Sequence, residues 1–411
     1  MIGASARPPL PEASRKPWSV RHVLAILLSL FLVLYLAEAV VSFADDSLSL
    51  VFGVHVLTMI DLILFVFAAL TAFVIYGLMG LTPLIPKRLF LPLALFYPVA
   101  VLATVPCLIY SSNRMELVDW AVSLIQILLG LVILYWVRVD SKFQWPLLPE
   151  SRLGVRGFSW QNLLGFLLVN LCVLLPGAVI YLFQCTALAV DHYSEGFVAL
   201  RPRGLAVRVR KYVRDDGKTI QLIPMAHVAE ADFYQKISRL FPSNSIILME
   251  GVTDDKNLLT NGISYKRMAA TLGLSEQHEK FAPSQGTMVR ADIDVDEFSP
   301  NTLELLNLAM LVHAKGVNPD TVQKLIRYTP PPGYQEQLKA DLVGKRNQHL
   351  VAEIAAHLAQ SDNIMVPWGA AHMPGIAAEV RKLGFRAGES KEYEVIRFHF
   401  FGNNEAHGRT K

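Results

Sequence analysis

Five long apolar stretches within the first 190 positions constrain this chain more than any other feature. The hydrocarbon core of a bilayer takes about 20 apolar residues per helix, and Val23–Val41, Leu50–Gly80, Leu89–Tyr110, Leu117–Val137 and Leu163–Val190 all come close to or exceed that length. The overall mean hydropathy of +0.36 is carried by this half. The reading is therefore a multi-pass α-helical membrane region at 1–190, a juxtamembrane linker at 191–217, one soluble domain at 218–402 and a polar tail at 403–411. Membrane lipid is the partner this composition implies.

Lysine and arginine in the short loops set the expected orientation. Arg7, Arg15, Lys16 and Arg21 precede the first stretch, Lys87 and Arg88 follow the second, and Arg138, Lys142, Arg152 and Arg156 follow the fourth. The alternate loops hold Asp45 and Asp46, then Arg114 balanced by Glu116 and Asp119. Positive charge stays inside, so the N-terminus is expected in the cytoplasm and the C-terminal domain outside, periplasmic or extracellular. Arg201, Arg203, Arg208, Arg210, Lys211 and Arg214 argue the other way, but long domains translocate largely regardless of charge. These basic residues read as a segment beside anionic headgroups. Ala37-Glu38-Ala39 resembles a signal cleavage site, yet Val40, Val41 and Phe43 continue the apolar run and favour an anchor.

The three cysteines, Cys107, Cys172 and Cys185, all fall in predicted spans, so the soluble domain offers neither a disulfide framework nor a cysteine zinc site. That fits a domain facing the outside of a bacterial inner membrane. A net charge of +3 is too small to argue for nucleic acid. Ionisable residues within spans mark function by default; Glu38, His55 and Asp61 qualify, with Glu38 and His55 near span ends and able to reach the interface.

From Lys218 onward short apolar runs alternate with helical segments. Strands are predicted at Thr219–Ile223, Ser245–Met249, Thr287–Ile293, Asn363–Pro367 and Glu394–Phe400. Helices are predicted at Ala229–Leu240, Ser264–Leu272, Pro300–Ala314, Pro319–Tyr328, Tyr334–Gln360 and His372–Leu383. Such alternation predicts an α/β domain with a largely parallel (mixed) sheet covered by helices.

In an open α/β sheet ligands bind outside the carboxyl ends of the strands, and His227, Glu250 and His372 each follow a predicted strand immediately. One such residue often only caps a helix or meets solvent; three at one rim point to a site. Gly369 lets the backbone turn sharply and approach a ligand, and the amides of Ala370 and Ala371 would open a helix N-terminus suited to an oxyanion. Arg346, followed by Asn347, either holds a carboxylate or polarises a carbonyl through its planar fork, or lies on a solvated helix face. Asp292, Asp294 and Asp296 alternate and would share one strand face, as supporting carboxylates or a polar surface. Glu230 could join His227 on a helical turn, and His278, His313, His349 and His357 lack a companion pattern.

The order His227, Glu250, Arg346-Asn347, then Gly369-Ala-Ala-His372-Met-Pro-Gly375 resembles the TraB/PrgY/GumN group, related to the TIKI proteases. The resemblance is confined to the soluble domain. It implies hydrolysis of an amide or ester bond, most naturally in a peptide, with Arg346 and Asn347 among the site residues. One version places zinc, manganese or cobalt on His227, Glu250 and His372 with an activated water. The other makes His227 the general base, with Glu250 orienting it and His372 and Arg346 binding substrate or oxyanion. A different class of function, capture of a peptide signal without cleavage, fits the same residues. Pro224 departs from the family pattern, standing where the group has its first Gly, and it lacks a backbone donor.

Overall fold

A glycine divides what reads as one apolar stretch at 50–80. In the computed structural model, which describes residues 19–137, 144–260 and 265–398, Gly53 adopts the left-handed conformation (φ +68°) that ends the helix Val20–Phe52. The next helix, Thr58–Leu81, starts under the carboxylate of Asp45, which accepts from the backbone of Val56 (2.8 Å) and Leu57 (2.7 Å) and the Thr58 hydroxyl (3.0 Å). Those N–H groups lack helical partners, so the carboxylate supplies the missing acceptor. His55 lies in this turn, bonded to Asp45 at 3.1 Å, and Asp61 lies in the first turn of the second helix.

The chain forms two compact units, Met1–Cys185 and Thr186–Lys411. Five helices are long and apolar enough to cross a membrane: Val20–Phe52, Thr58–Leu81, Lys87–Tyr110, Ser112–Val137, which opens with one tight turn, and Trp160–Tyr193. Widening of the last helix at Asn170–Leu174 has a cause in Pro176, which cannot donate to the helical ladder. Packing in the first unit centres on Phe31, Tyr35, Ala72, Ile75, Phe90 and Leu93. Glu38, read from its sequence position as able to reach an interface, packs inside the helices. It is 4% exposed, accepting from the Tyr97 hydroxyl (3.1 Å) and the Gln126 amide, donors that replace water for a buried carboxylate. Of the charges used for orientation, Arg7, Arg15, Lys16, Arg138 and Lys142 lie outside the described residues.

In the second unit a seven-stranded sheet combines β1 (Val198–Arg201), β2 (Gly204–Val213), β3 (Thr219–Met225), β5 (Ser245–Met249), β7 (Thr287–Arg290), β8 (Asn363–Gly369) and β9 (Arg386–Arg397). β4 (Val228–Ala229) and β6 (Ser275–Glu276) form a separate two-stranded ladder. Strands β3, β8, β5 and β7 are parallel neighbours in that order, while β2 runs antiparallel to β1, β3 and β9. The sheet is mixed, with the parallel half bearing the strand ends of interest.

Most of the stretch 191–217 is sheet rather than linker, filled by β1 and β2. Val207 and Val209 point inward from β2, while Arg208 bonds to Asp191 (3.1 Å) and Glu392 (3.3 Å), and Arg201 bonds to Glu392 at 2.7 Å. Alternating Val and Arg is a strand signal of period two; acids distant in sequence account for its charge. β7 stops at Arg290, three residues before its predicted end, and β9 begins at Arg386, eight before its predicted start. The tail 403–411, His399, Phe400 and Ser264 lie outside the described residues.

Helices cover both faces. Ile364, Val366 and Trp368 of β8 pack with Ile246, Leu248, Leu350, Ile354, Ile376 and Val380 on one side. Met365, between them, packs on the other side with Ile247, Phe233, Tyr234 and Phe281. Two prolines interrupt the central strands without breaking them. β2 pairs with β3 only as far as Leu222, and β5 pairs with β8 only as far as Met365. Pro224 and Pro367 therefore sit beyond the end of one neighbouring ladder, where a strand tolerates a missing donor.

Candidate functional site

Three parallel strands deliver the site. β5 ends on Met249 and hands over to Glu250; β8 ends on Gly369 and hands over to the turn Ala370–His372; β3 ends on Met225, two residues before His227. The fourth contributor arrives on a helix. Tyr334–Lys339 continues through a widened π-type turn, Ala340–Lys345, into Arg346–His357. Bulges of this kind re-aim the following side chains and recur at functional sites.

Arg346 is the hub. Its Nε donates to Asp292 Oδ1 at 2.9 Å and its Nη2 to Asp292 Oδ2 at 2.6 Å, a bidentate pair; Nη2 also donates to Glu250 Oε1 at 2.8 Å. Its Nη1 faces His372 Nε2 at 3.2 Å and the Leu342 carbonyl at 3.5 Å. All five guanidinium donors are thereby directed at protein acceptors. Burial works against the charge, but the bonds and charge of Asp292, then those of Glu250, hold the guanidinium pKa above its ordinary value.

His372 is 5% exposed. Its Nδ1 lies 2.7 Å from Asn347 Oδ1, an acceptor, which places the proton on Nδ1 and leaves Nε2 to accept from Arg346. Burial, then the charge of Arg346, lowers the imidazole pKa, so the neutral ring is favoured. Trp368 meets the ring edge-on, with centroids 5.3 Å apart, and its own indole N–H is bonded to the Leu248 carbonyl at 3.0 Å.

Glu250 is fixed from two sides, by Arg346 on Oε1 and by the Gly369 amide on Oε2. Gly369 has an ordinary φ of −51°, so a sharp turn is not its reason for being glycine. A Cβ there would lie 3.3 Å from Glu250 Oε2; the missing side chain makes room for the carboxylate. Gly375 does the same for Asn347, whose Nδ2 would lie 2.6 Å from an added Cβ.

His227 is exposed, and its ring stacks on Tyr265 with centroids 4.9 Å apart and planes 5° apart. Among the described residues its imidazole makes no hydrogen bond. It lines a cavity of about 490 Å³ together with Glu250 and Arg346. The structure thus gathers Glu250, Arg346, Asn347, Gly369 and His372 into one bonded cluster and sets His227 across a shared cavity from it.

Asp292 belongs to the cluster, although its alternation with Asp294 and Asp296 suggested a strand face. The chain has left β7 by then; the Asp292 side chain is fully buried and also accepts from the Gly251 amide at 2.9 Å. Asp294 instead organises a turn, accepting from Thr253 (2.7 Å), Asp255 (3.0 Å) and Asp296 (2.9 Å), bonds that lower its pKa to about 2. Glu230 turns away from His227, accepting from the Arg397 amide of β9 at 3.4 Å. No local motif marks Tyr265 in the sequence; only its stacking on His227 brings it to the site.

The metal arrangement does not fit this geometry. His372 Nε2 and Glu250 Oε1 are 3.6 Å apart, but Arg346 is hydrogen-bonded to both, so a dication there would meet a guanidinium. Among the described residues the one group of three whose ligand atoms lie within 4.8 Å of one another is Glu276, His278 and Glu279, which does not include His227, Glu250 or His372.

No family model matches the chain, and no curated protein and no solved structure is significantly similar to it.

Proposed function

We propose that the second unit is a membrane-anchored hydrolase of the TraB/TIKI type that cleaves an amide or ester bond, in a peptide, without a metal. The observation that carries this reading is that one cavity is lined by a histidine whose imidazole makes no hydrogen bond among the described residues, His227, and by a fixed carboxylate, Glu250, which Arg346 and the Gly369 amide immobilise. His227 takes a proton from water as the oxygen attacks the carbonyl carbon, and returns it to the departing nitrogen or oxygen as the C–N or C–O bond breaks. Glu250 orients the water. His372, Asn347 and Asp292 act through Arg346, holding it so that Glu250 stays in place. The five apolar helices anchor the domain, and the loop charges favour its outward placement, which a reporter fused after Lys411 and active only in the cytoplasm would overturn.

The test uses purified full-length protein against a peptide and ester library, with and without added divalent ions. Turnover that disappears in His227→Ala and Glu250→Ala, while the thermal transition is retained, supports the mechanism. One observation favours a second reading, capture without cleavage: every guanidinium donor and both Glu250 oxygens already have protein partners. A chain that retains a peptide and never cleaves it would establish that reading instead.

A further inference from the structure

The cavity beside Glu250 has an unfinished apolar wall. Ile293, Val295 and Phe298 form a small buried cluster, and Leu259, Leu306 and Leu342 pack against it while remaining half-buried. These three leucines line the cavity with Phe281, Phe298 and Met310, and its polar lining comes from His227, Glu250 and Arg346 together with Glu276, Gln277 and His278. A volume of about 490 Å³ lies within the roughly 300–1,000 Å³ of small-ligand sites. Apolar surface left open to water in this way is stabilised by whatever covers it, at roughly 25 cal/mol per Å². Met310 and the leucines come from separate segments, around 259, 306–310 and 342, so the wall is a product of the tertiary fold and not an exposed face of one helix.

We infer that this cavity is the specificity pocket of the site: it takes a bulky apolar side chain, of leucine, methionine or phenylalanine size, on the residue flanking the bond that faces Glu250. The inference rests on the hydrolase reading, but the pocket's occupancy can be measured without turnover. Its continuity with Glu250 and Arg346, which line the same space, selects the occupant: an apolar group attached to a polar backbone. A free hydrocarbon would leave that polar edge unused, and a charged side chain would be desolvated against leucine and phenylalanine.

The probe is a hexapeptide whose one apolar side chain is a photoreactive leucine analogue, and the competitors are the same hexapeptide with leucine or with serine at that position. Full-length protein in lipid nanodiscs is irradiated with the probe in the presence of each competitor, and the labelled positions are mapped by mass spectrometry. Labelling at Phe281, Leu306 or Met310 that falls about tenfold with the leucine competitor and stays unchanged with the serine competitor supports the pocket. Leu306→Trp, which fills the space, should lower labelling about tenfold, whereas Met310→Ala, which enlarges it, should keep it. Equal competition by the two peptides, or labelling unaffected by Leu306→Trp, overturns the inference. Selective labelling in a protein that hydrolyses nothing leaves the pocket standing and removes only the hydrolase reading.

Discussion

Replacing Arg346 by methionine tests the physical centre of the site. The side chain is 13% exposed, and its two carboxylate partners, Asp292 and Glu250, are 0% and 12% exposed. With charge centres about 4 Å apart and an effective dielectric near 20, each attraction is worth about 4 kcal/mol before desolvation is subtracted. Methionine keeps much of the volume and removes the charge, so both carboxylates remain buried without compensation. Breaking such a pair from one side typically costs about 3–5 kcal/mol. In a domain of this size that corresponds to a fall in Tm of roughly 6–20 °C. The assay is thermal unfolding of the purified full-length protein in detergent, followed by tryptophan fluorescence, since Trp368 lies beneath the guanidinium at 5.4 Å. Arg346→Lys retains charge without the planar fork and should recover part of the loss. Arg386→Met, which breaks an exposed pair with Asp215, should shift Tm little. A shift below about 2 °C for Arg346→Met would refute the argument, because it would mean that Asp292 and Glu250 need no cation.

Three further outcomes are expected. His372 has a pKa lowered from 6.5 in the folded state, so the unfolded chain binds more protons just below that value; stability should fall as pH drops below about 6.5, and His372→Gln should flatten that slope in Tm measured from about pH 7.5 to about pH 5. Gly375→Ala should push Asn347 away from His372 and remove the acceptor of its Nδ1 proton, so the Nδ1–H signal in NMR should exchange faster with solvent; an unchanged exchange rate would show that the amide does not hold that proton. Asp341 accepts from the Ser299 amide (2.9 Å) and hydroxyl (2.7 Å) and the Thr302 hydroxyl (2.7 Å), so Asp341→Ala should cost about 1–3 kcal/mol through unsatisfied donors, read as urea sensitivity in pulse proteolysis.

Several features are legible because they depend on local composition. Apolar length alone locates the five helices, but not the break at Gly53, whose left-handed conformation falls inside what reads as one stretch at 50–80. Short apolar runs such as Ile246–Met249 and Ile364–Val366 predict buried parallel strands, and residues following them reach one rim. The strand β2 escapes a sequence reading because its arginines resemble a membrane-proximal basic stretch; Glu392, their partner, is 184 residues from Arg208.

What the sequence determined by itself was the order of the parallel strands and the address of His227, Glu250 and His372, since short apolar runs mark the buried strands those residues follow. What only the tertiary structure decided was how the charges are shared. Arg346 lies 96 residues from Glu250 and 54 from Asp292, and no local pattern reveals whether its guanidinium faces solvent, substrate or two buried carboxylates. The widened turn before Arg346 and the missing Cβ atoms of Gly369 and Gly375 settle that choice by bringing backbone and side chains close enough for the donors to be used within the protein. They leave the His227 imidazole, among the described residues, without a hydrogen bond beside the cavity.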